Sequence, residues 1–129
     1  RHIGVCNVNV EQLAIARSIV RVVSVQNRFN LTDRAAQDVL DECERDGLPF
    51  LPWYPLAAGE LADPGGPVAE IARAHDATPG QVALAWLLRR SPVMTPIPGT
   101  GSVEHLAENV AAVRLALTDD EVATLDAAA

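Results

Sequence analysis

The chain has no lysine: all ten of its basic side chains are arginine, and Tyr54 is its only tyrosine. Chemistry that needs a lysine point charge, a Schiff base or a lysine-tuned phenol therefore has no donor within these 129 residues. Cys6 and Cys43 are too few for a disulfide framework, so a reduced, cytoplasmic setting is the default expectation. No apolar run approaches the length of a membrane span, and the opening residues are not expected to be a signal peptide. A formal net charge of −7 argues against a nucleic-acid or anionic-membrane partner. What is present, 49% hydrophobic residues and ordinary charge content, excludes a disordered chain and suits one domain with a real core. The chain opens at Arg1 with a strand-like run two residues later, so it reads as cut from something longer or processed.

Val93 to Asn109 organises the rest. Val93-Met94-Thr95 is a short apolar run between Pro92 and Pro96, which bar a helix there and leave a strand end. Pro98-Gly99-Thr100-Gly101 is turn chemistry, with two glycines expected to be free for positive φ and for close approach of a ligand. Ser102 is placed to cap a helix whose apolar residues, Val103, Leu106, Ala107 and Val110, have the spacing of one buried face. Ser102, His105, Glu108 and Asn109 gather opposite. A Gly-rich turn entering a helix start presents unpaired N–H groups and a positive dipole end, the makings of a phosphate site.

Along the chain, Ile3–Cys6 reads as a strand, followed by a helix capped by Asn9 with Gln12 completing a capping box. Leu13, Ala16 and Ile19 give that helix part of a buried stripe. Val22–Val25 is a second strand. Thr32 or Asp33 is expected to open the next helix, which buries Ala36, Val39, Leu40 and Cys43 and ends at Gly47. Leu48–Leu51 is a third strand that delivers Trp53 and Tyr54. Ala57 to Gly66 reads as a loop, and Pro67 opens a short helix to about His75. Thr78-Pro79-Gly80-Gln81 is a second capping box, before a helix covered on most sides. Thr118 to Glu121 caps a last one, burying Val122 and Leu125. Short strands each followed by a helix predict a parallel α/β architecture, either a small doubly wound sheet or a half barrel.

Ligands in such folds sit at the carboxyl ends of the strands. Those ends carry Cys6-Asn7, Gln26-Asn27, Trp53-Tyr54 and Gly99-Thr100. Asn7 and Gln26 each donate and accept, which suits a carboxamide ligand, and Trp53 offers a flat π face. Trp86, mid-helix in an apolar run, belongs in the core.

IGVCN, VSVQNRFN, PWYPL and IPGTGSVEHLAEN, in this order and spacing, resemble the carboxyl-terminal half of the aldo-keto reductase family, over the whole chain. The resemblance implies a (β/α)8 barrel of the TIM type, to which residues 1–129 would contribute strands five to eight as a parallel half barrel. It implies an oxidoreductase that reduces aldehydes or ketones with NADP(H), or alternatively NAD(H), bound without a Rossmann domain. No Gly-x-Gly-x-x-Gly run is present. By position, Asn7 and Gln26 would hold the nicotinamide carboxamide, with Cys6 where many members have a helping serine. Trp53 would stack on the ring, and Tyr54 and Leu56 would line the pyrophosphate. Gly99, Thr100 and Gly101 match the turn around the adenosine 2′-phosphate. His105 falls where many members place an arginine, and Glu108 and Asn109 match the pair on the adenine edge.

Two departures follow. Many members carry lysine at the position of Gly99, and with His105 in place of arginine little fixed positive charge remains for a 2′-phosphate. Backbone N–H groups and the hydroxyls of Thr100 and Ser102 are the remaining donors. The family's catalytic Tyr, Lys, Asp and His reside on the other half, so no catalytic residue and no metal ligand is assigned here. The expected partners are a small carbonyl substrate in the complete barrel and either the missing amino-terminal half or a second copy. The alternatives to a catalytic half are a non-catalytic cofactor-binding or regulatory module and a structural remnant.

Overall fold

The computed structural model describes residues 1–57 and 65–128; most of the loop expected between Ala57 and Gly66 lies outside the described residues. Strand β1 (Ile3–Cys6), helix α1 (Val10–Ile19) and strand β2 (Val22–Gln26) form a right-order parallel unit, with Cys6 opposite Gln26. The strands approach closely at Gly4, where a Cβ would sit 2.5 Å from Ser24 Oγ, and the register shifts between Ile3 and Gly4. A side chain there would have to turn Ser24 Oγ aside and would sit 3.3 Å from the Ser24 carbonyl oxygen.

Helix α2 (Gln37–Asp46) follows, then α3 (Pro67–Ala74), α4 (Pro79–Arg90), α5 (Val103–Ala111), a 3₁₀ turn over Ala112–Arg114, and α6 (Asp119–Ala127). The third and fourth strands expected from the sequence shrink to isolated parallel bridge positions, Val25 with Phe50 and Arg28 with Trp53 on one side, and Phe50 with Met94 on the other. The Val25 N–H donates to Pro49 O at 3.0 Å, and Leu51 N–H donates back to Val25 O at 2.8 Å. Phe50 N–H reaches Val93 O at 2.9 Å, and Thr95 N–H reaches Phe50 O at 2.8 Å. Pro49, Pro52, Pro92 and Pro96 have no N–H to offer, so the ladders stay broken into isolated bridges. The spatial order is thus β1, β2, the Phe50 segment, the Met94 segment, all parallel.

Helix starts follow the sequence closely. Asn9 with Gln12, Thr78 with Gln81 and Thr118 with Glu121 form reciprocal capping boxes, and Pro67 and Pro79 occupy first-turn positions. Gly47 ends α2 at φ 64. One start differs: α2 begins after Ala36, with no side-chain cap, rather than at Thr32 or Asp33. Buried Asn30 explains this, because its Oδ1 accepts from Thr32 N–H at 3.0 Å and Asp33 N–H at 2.9 Å. The turn so formed uses the donors a helix would have needed.

The core lies between the sheet and the helices. Phe29 stacks on Trp86 with ring centroids 6.1 Å apart and meets Phe50 edge-on at 5.9 Å. Trp86 Nε1–H donates to Asp126 Oδ1 at 3.0 Å, while the Arg34 guanidinium lies over the indole and donates to the Leu125 and Asp126 carbonyls. Arg34 thereby supplies donors to the last carbonyls of α6. Cys43 is buried in the core, and burial, with Glu42 adding to it, pushes its thiol up to about 11, so it is inert at neutral pH.

Two apolar stripes do not end where their periodicity pointed. Ile19 of α1 is exposed, and no residue of α5 is buried: Val103 is 84%, Leu106 53% and Val110 63% accessible. The α5 stripe faces away from this chain, lining an open groove of about 390 Å³ with Ala107, Ala111 and Arg114. Helix α5 leans on the body through its other side, where Gln81 Nε2 donates to Glu108 O at 3.1 Å. Among the described residues, no helix is long and apolar enough to cross a membrane.

Candidate functional site

The carboxyl ends of β1, β2 and the Phe50 segment meet on one edge of the sheet. Asn7 leaves β1 with φ 54, and its N–H donates to Gln26 O at 2.9 Å. Asparagine tolerates this left-handed conformation better than most residues do. Asn27 is 5% exposed and serves the backbone on both sides: its Oδ1 accepts from Val8 N–H and its Nδ2 donates to Val8 O. It fixes the turn after β1, which sets the direction of Asn7.

Trp53 is set beside them by its own N–H, which donates to Asn27 O at 3.0 Å. Its indole Nε1–H donates to Asn7 Oδ1 at 2.7 Å. Tyr54 follows with φ 59, a strained backbone for an aromatic residue. Its carbonyl accepts from Nδ2 of Asn30, which is wholly buried. Strained backbone held by surrounding structure is characteristic of ligand clamps.

Four of the residues expected at the site, Cys6, Asn7, Gln26 and Trp53, are therefore neighbours. Tyr54 and Leu56 turn toward Gly99, and with Pro55, Ile97 and Pro98 they line a cavity of about 360 Å³. A second cavity of about 330 Å³ lies between Asn7, Asn9, Asn27, Arg28 and the stretch from Asp33 to Val39.

At the start of α5, Ser102 Oγ accepts from His105 N–H at 3.3 Å, and Thr100 Oγ1 accepts from Ser102 N–H at 3.0 Å. Both hydroxyl oxygens are thus engaged in their own turn. Gly99 and Gly101 do not take the positive φ expected of them, and a Cβ on either would meet nothing within 4 Å. The extended path of this turn needs no left-handed residue, so neither backbone nor internal packing demands glycine there. His105 is exposed, while Glu108 and Asn109 are half-buried toward the body. From Gly99 to Asn109 the chain carries Glu104 and Glu108 and no arginine or lysine.

Two contributors were not foreseen. Arg28 stands at the end of β2, its Nε 2.9 Å from Asp33 Oδ2 and its guanidinium 5.0 Å from the Tyr54 ring centroid and 5.8 Å from that of Trp53. Its place two residues beyond Gln26 was the available signal, since alternate residues of an extended segment share a side. Asn30, which holds the Tyr54 turn, carried none beyond being a polar residue after Phe29. Among the described residues, no cluster of histidine, cysteine or acidic side chains is arranged to hold a metal.

A profile of the aldo/keto reductase family matches residues 1–129. An uncharacterized oxidoreductase of Schizosaccharomyces pombe is 48% identical over 98% of this chain, which covers 41% of that protein. Pyridoxine 4-dehydrogenase of Escherichia coli is 44% identical over 98% of this chain and is covered over 44% of its length. The crystal structure of an aldo-keto reductase from Klebsiella pneumoniae in complex with NADPH superposes with a TM-score of 0.89 at 31% identity, over 98% of this chain and 47% of that one. The chain thus spans under half the length of these relatives, whose solved representatives are (β/α)8 barrels. With sequence profile, relatives and parallel α/β architecture in agreement, this chain belongs to the aldo/keto reductase family.

Proposed function

We propose that the chain forms the cofactor-binding side of a nicotinamide-dependent carbonyl reductase, contributing strands five to eight of the barrel. The observation that carries this reading is the meeting of Asn7, Gln26 and Trp53 at three adjacent parallel strand ends, continued by the cavity from Tyr54 to Gly99. A carboxamide-bearing ring fits the first part, and an extended diphosphate fits the path toward the start of α5, where a helix N-terminus favours negative charge. The unneeded glycines leave that path open to close approach. The relative crystallised with NADPH supports a nicotinamide dinucleotide as the ligand.

When bound, that cofactor supplies a hydride to a carbonyl carbon. This chain's residues bind and orient it, but they do not provide the proton that the resulting alkoxide must receive. Tyr54 is the only phenol, and its ring lies against Arg28 beside Trp53, within the cofactor wall. A proton donor of matched pKa typically contributes about 10²–10⁴-fold, so reduction needs residues from outside these 129. The complete barrel is the catalytic unit in this reading, and aldehydes or ketones are its substrate class.

Because Gly99 to Asn109 offers no fixed cation, the preference for NADPH over NADH is modest. Competitive titration of both dinucleotides, with the chain alone and assembled with a separately made first-half polypeptide, tests the reading. Neither binding in either setting would overturn it. NADPH oxidation with a reactive aldehyde should appear only on assembly; turnover by the chain alone that survives Tyr54→Phe would refute the division of labour.

A further inference from the structure

The indole of Trp53 was expected to be a platform for stacking, but its edge is already engaged. Nε1–H donates to the Asn7 side chain at 2.7 Å. An indole N–H has no acceptor capacity, so the atom facing it is the carboxamide oxygen, whichever way an isolated amide might turn. Asn7 Oδ1 is thereby committed, and the Nδ2 donors of this exposed residue have no acceptor among the described residues. The Trp53 ring is itself restrained: its backbone N–H is fixed on Asn27, and Arg28, anchored by Asp33, lies over its face.

We infer that Trp53 is a positioning residue, whose indole N–H locks the Asn7 carboxamide so that only donors face the ligand. This corner of the site then accepts only a hydrogen-bond acceptor, such as the carbonyl oxygen of a carboxamide. The ligand's amino group is left to the neighbouring Gln26, beside Asn7 in the sheet. An asparagine free to turn would serve either end of a carboxamide. The locked one reads its orientation, and with it which face of the attached ring lies toward Trp53. This inference rests on the cofactor reading above and specifies how one residue of it discriminates.

The test compares NADP⁺ with its thionicotinamide analogue, in which the carbonyl oxygen becomes sulfur, a poor acceptor, while the amino group stays. Both rings stack alike, so the ratio of the two affinities is insensitive to lost stacking area. The full chain, alone and assembled with the first-half polypeptide, should prefer NADP⁺ by about 3- to 10-fold, the worth of one neutral hydrogen bond. Trp53→Phe frees the amide to turn its oxygen toward the amino group, so the ratio should fall toward one. In an Asn7→Ala background the ratio should not change when Trp53→Phe is added, because the effect travels through Asn7. The Trp53 indole N–H resonance, assigned by its loss in Trp53→Phe, should shift in Asn7→Ala while that of Trp86 does not. An unchanged ratio in Trp53→Phe with both dinucleotides still bound overturns the inference alone. Absence of binding by either dinucleotide overturns the cofactor reading and this inference together.

Discussion

Helices α4 and α5 follow one another in the chain, are both rich in apolar residues, and meet opposite fates. Six consecutive residues of α4, Val82 to Leu87, are buried, whereas α5 buries none. Helix α4 is enclosed by α3, by α5 and its 3₁₀ turn, and by the Phe29–Phe50–Trp86 ring cluster. Among the described residues, no element covers the apolar stripe of α5. At the opposite end of the strand order, Ile3 of β1 and Ile15 and Ile19 of α1 are exposed as well. One interior is closed, and two flanks remain open. The chain covers under half the length of these two relatives, each of which it matches over 98% of its own.

The closed region should therefore carry the stability. Trp86→Ala removes a fully buried ring, its stack with Phe29 and its bond to Asp126, and should cost about 3–5 kcal/mol in urea unfolding. Trp86→Phe keeps the stack and loses the indole bond, so about 1 kcal/mol is expected. A small effect of Trp86→Ala would mean that the two regions are not distinct energetically.

Caps sharpen the comparison, because the same chemistry opens both helices. Thr78→Ala deletes a reciprocal box at the head of α4 and should cost about 1 kcal/mol. Ser102→Ala deletes a one-way cap on a helix that frays without tertiary cover, and its cost should be smaller. Equal losses in the two variants would show that α5 is held as firmly as α4.

The open flank should respond to charge in a way the interior cannot. Leu106→Asp places a carboxylate where water already reaches, and the stability change should stay within about 0.5 kcal/mol. Static light scattering should meanwhile show less self-association, since an apolar stripe of this extent is seldom left uncovered. Leu84→Asp, at a position 3% exposed, should abolish folding. A wild-type chain that stays strictly monomeric at high concentration would show that the exposed stripe drives no association.

The sequence made local features legible because they are decided by local chemistry. Asn9 with Gln12, Thr78 with Gln81 and Thr118 with Glu121 are complete within four residues, and Gly47 and Pro67 act through their own backbones. The grouping of Asn7, Gln26 and Trp53 was legible because parallel strands bring their carboxyl ends together. Periodicity identified which residues of α5 share a side, but whether anything covers that side depends on elements outside the helix. The same limit hid Asn30, whose buried side chain shifted the start of α2, and Arg28, whose partners Asp33 and Tyr54 meet it only in the fold. The isolated bridges that replace the last two strands follow from prolines the sequence displayed, whose missing donors interrupt a ladder even where apolar residues continue.

The smallest expected effect concerns how the last helix is pinned to the closed region under acid. Glu121 lies below the usual carboxylate range, chiefly because the Thr118 N–H donates to its Oε2 at 2.8 Å, with His75 against Oε1 as the next cause. A carboxyl group depressed by folding contributes stability that is present above its unfolded value and is lost as pH falls through its folded value. Glutamine at this position retains the capping geometry, since Glu and Gln both serve at the third position of a capping box, but it does not titrate. Glu121→Gln should therefore lower the unfolding midpoint slightly near neutral pH, and that difference should shrink as pH falls through the folded value of Glu121. Thermal unfolding of both proteins from about pH 7 to about pH 3 is the measurement. A gap that stays constant or widens toward acid would show that the depressed Glu121 carboxyl does not carry this part of the pH dependence.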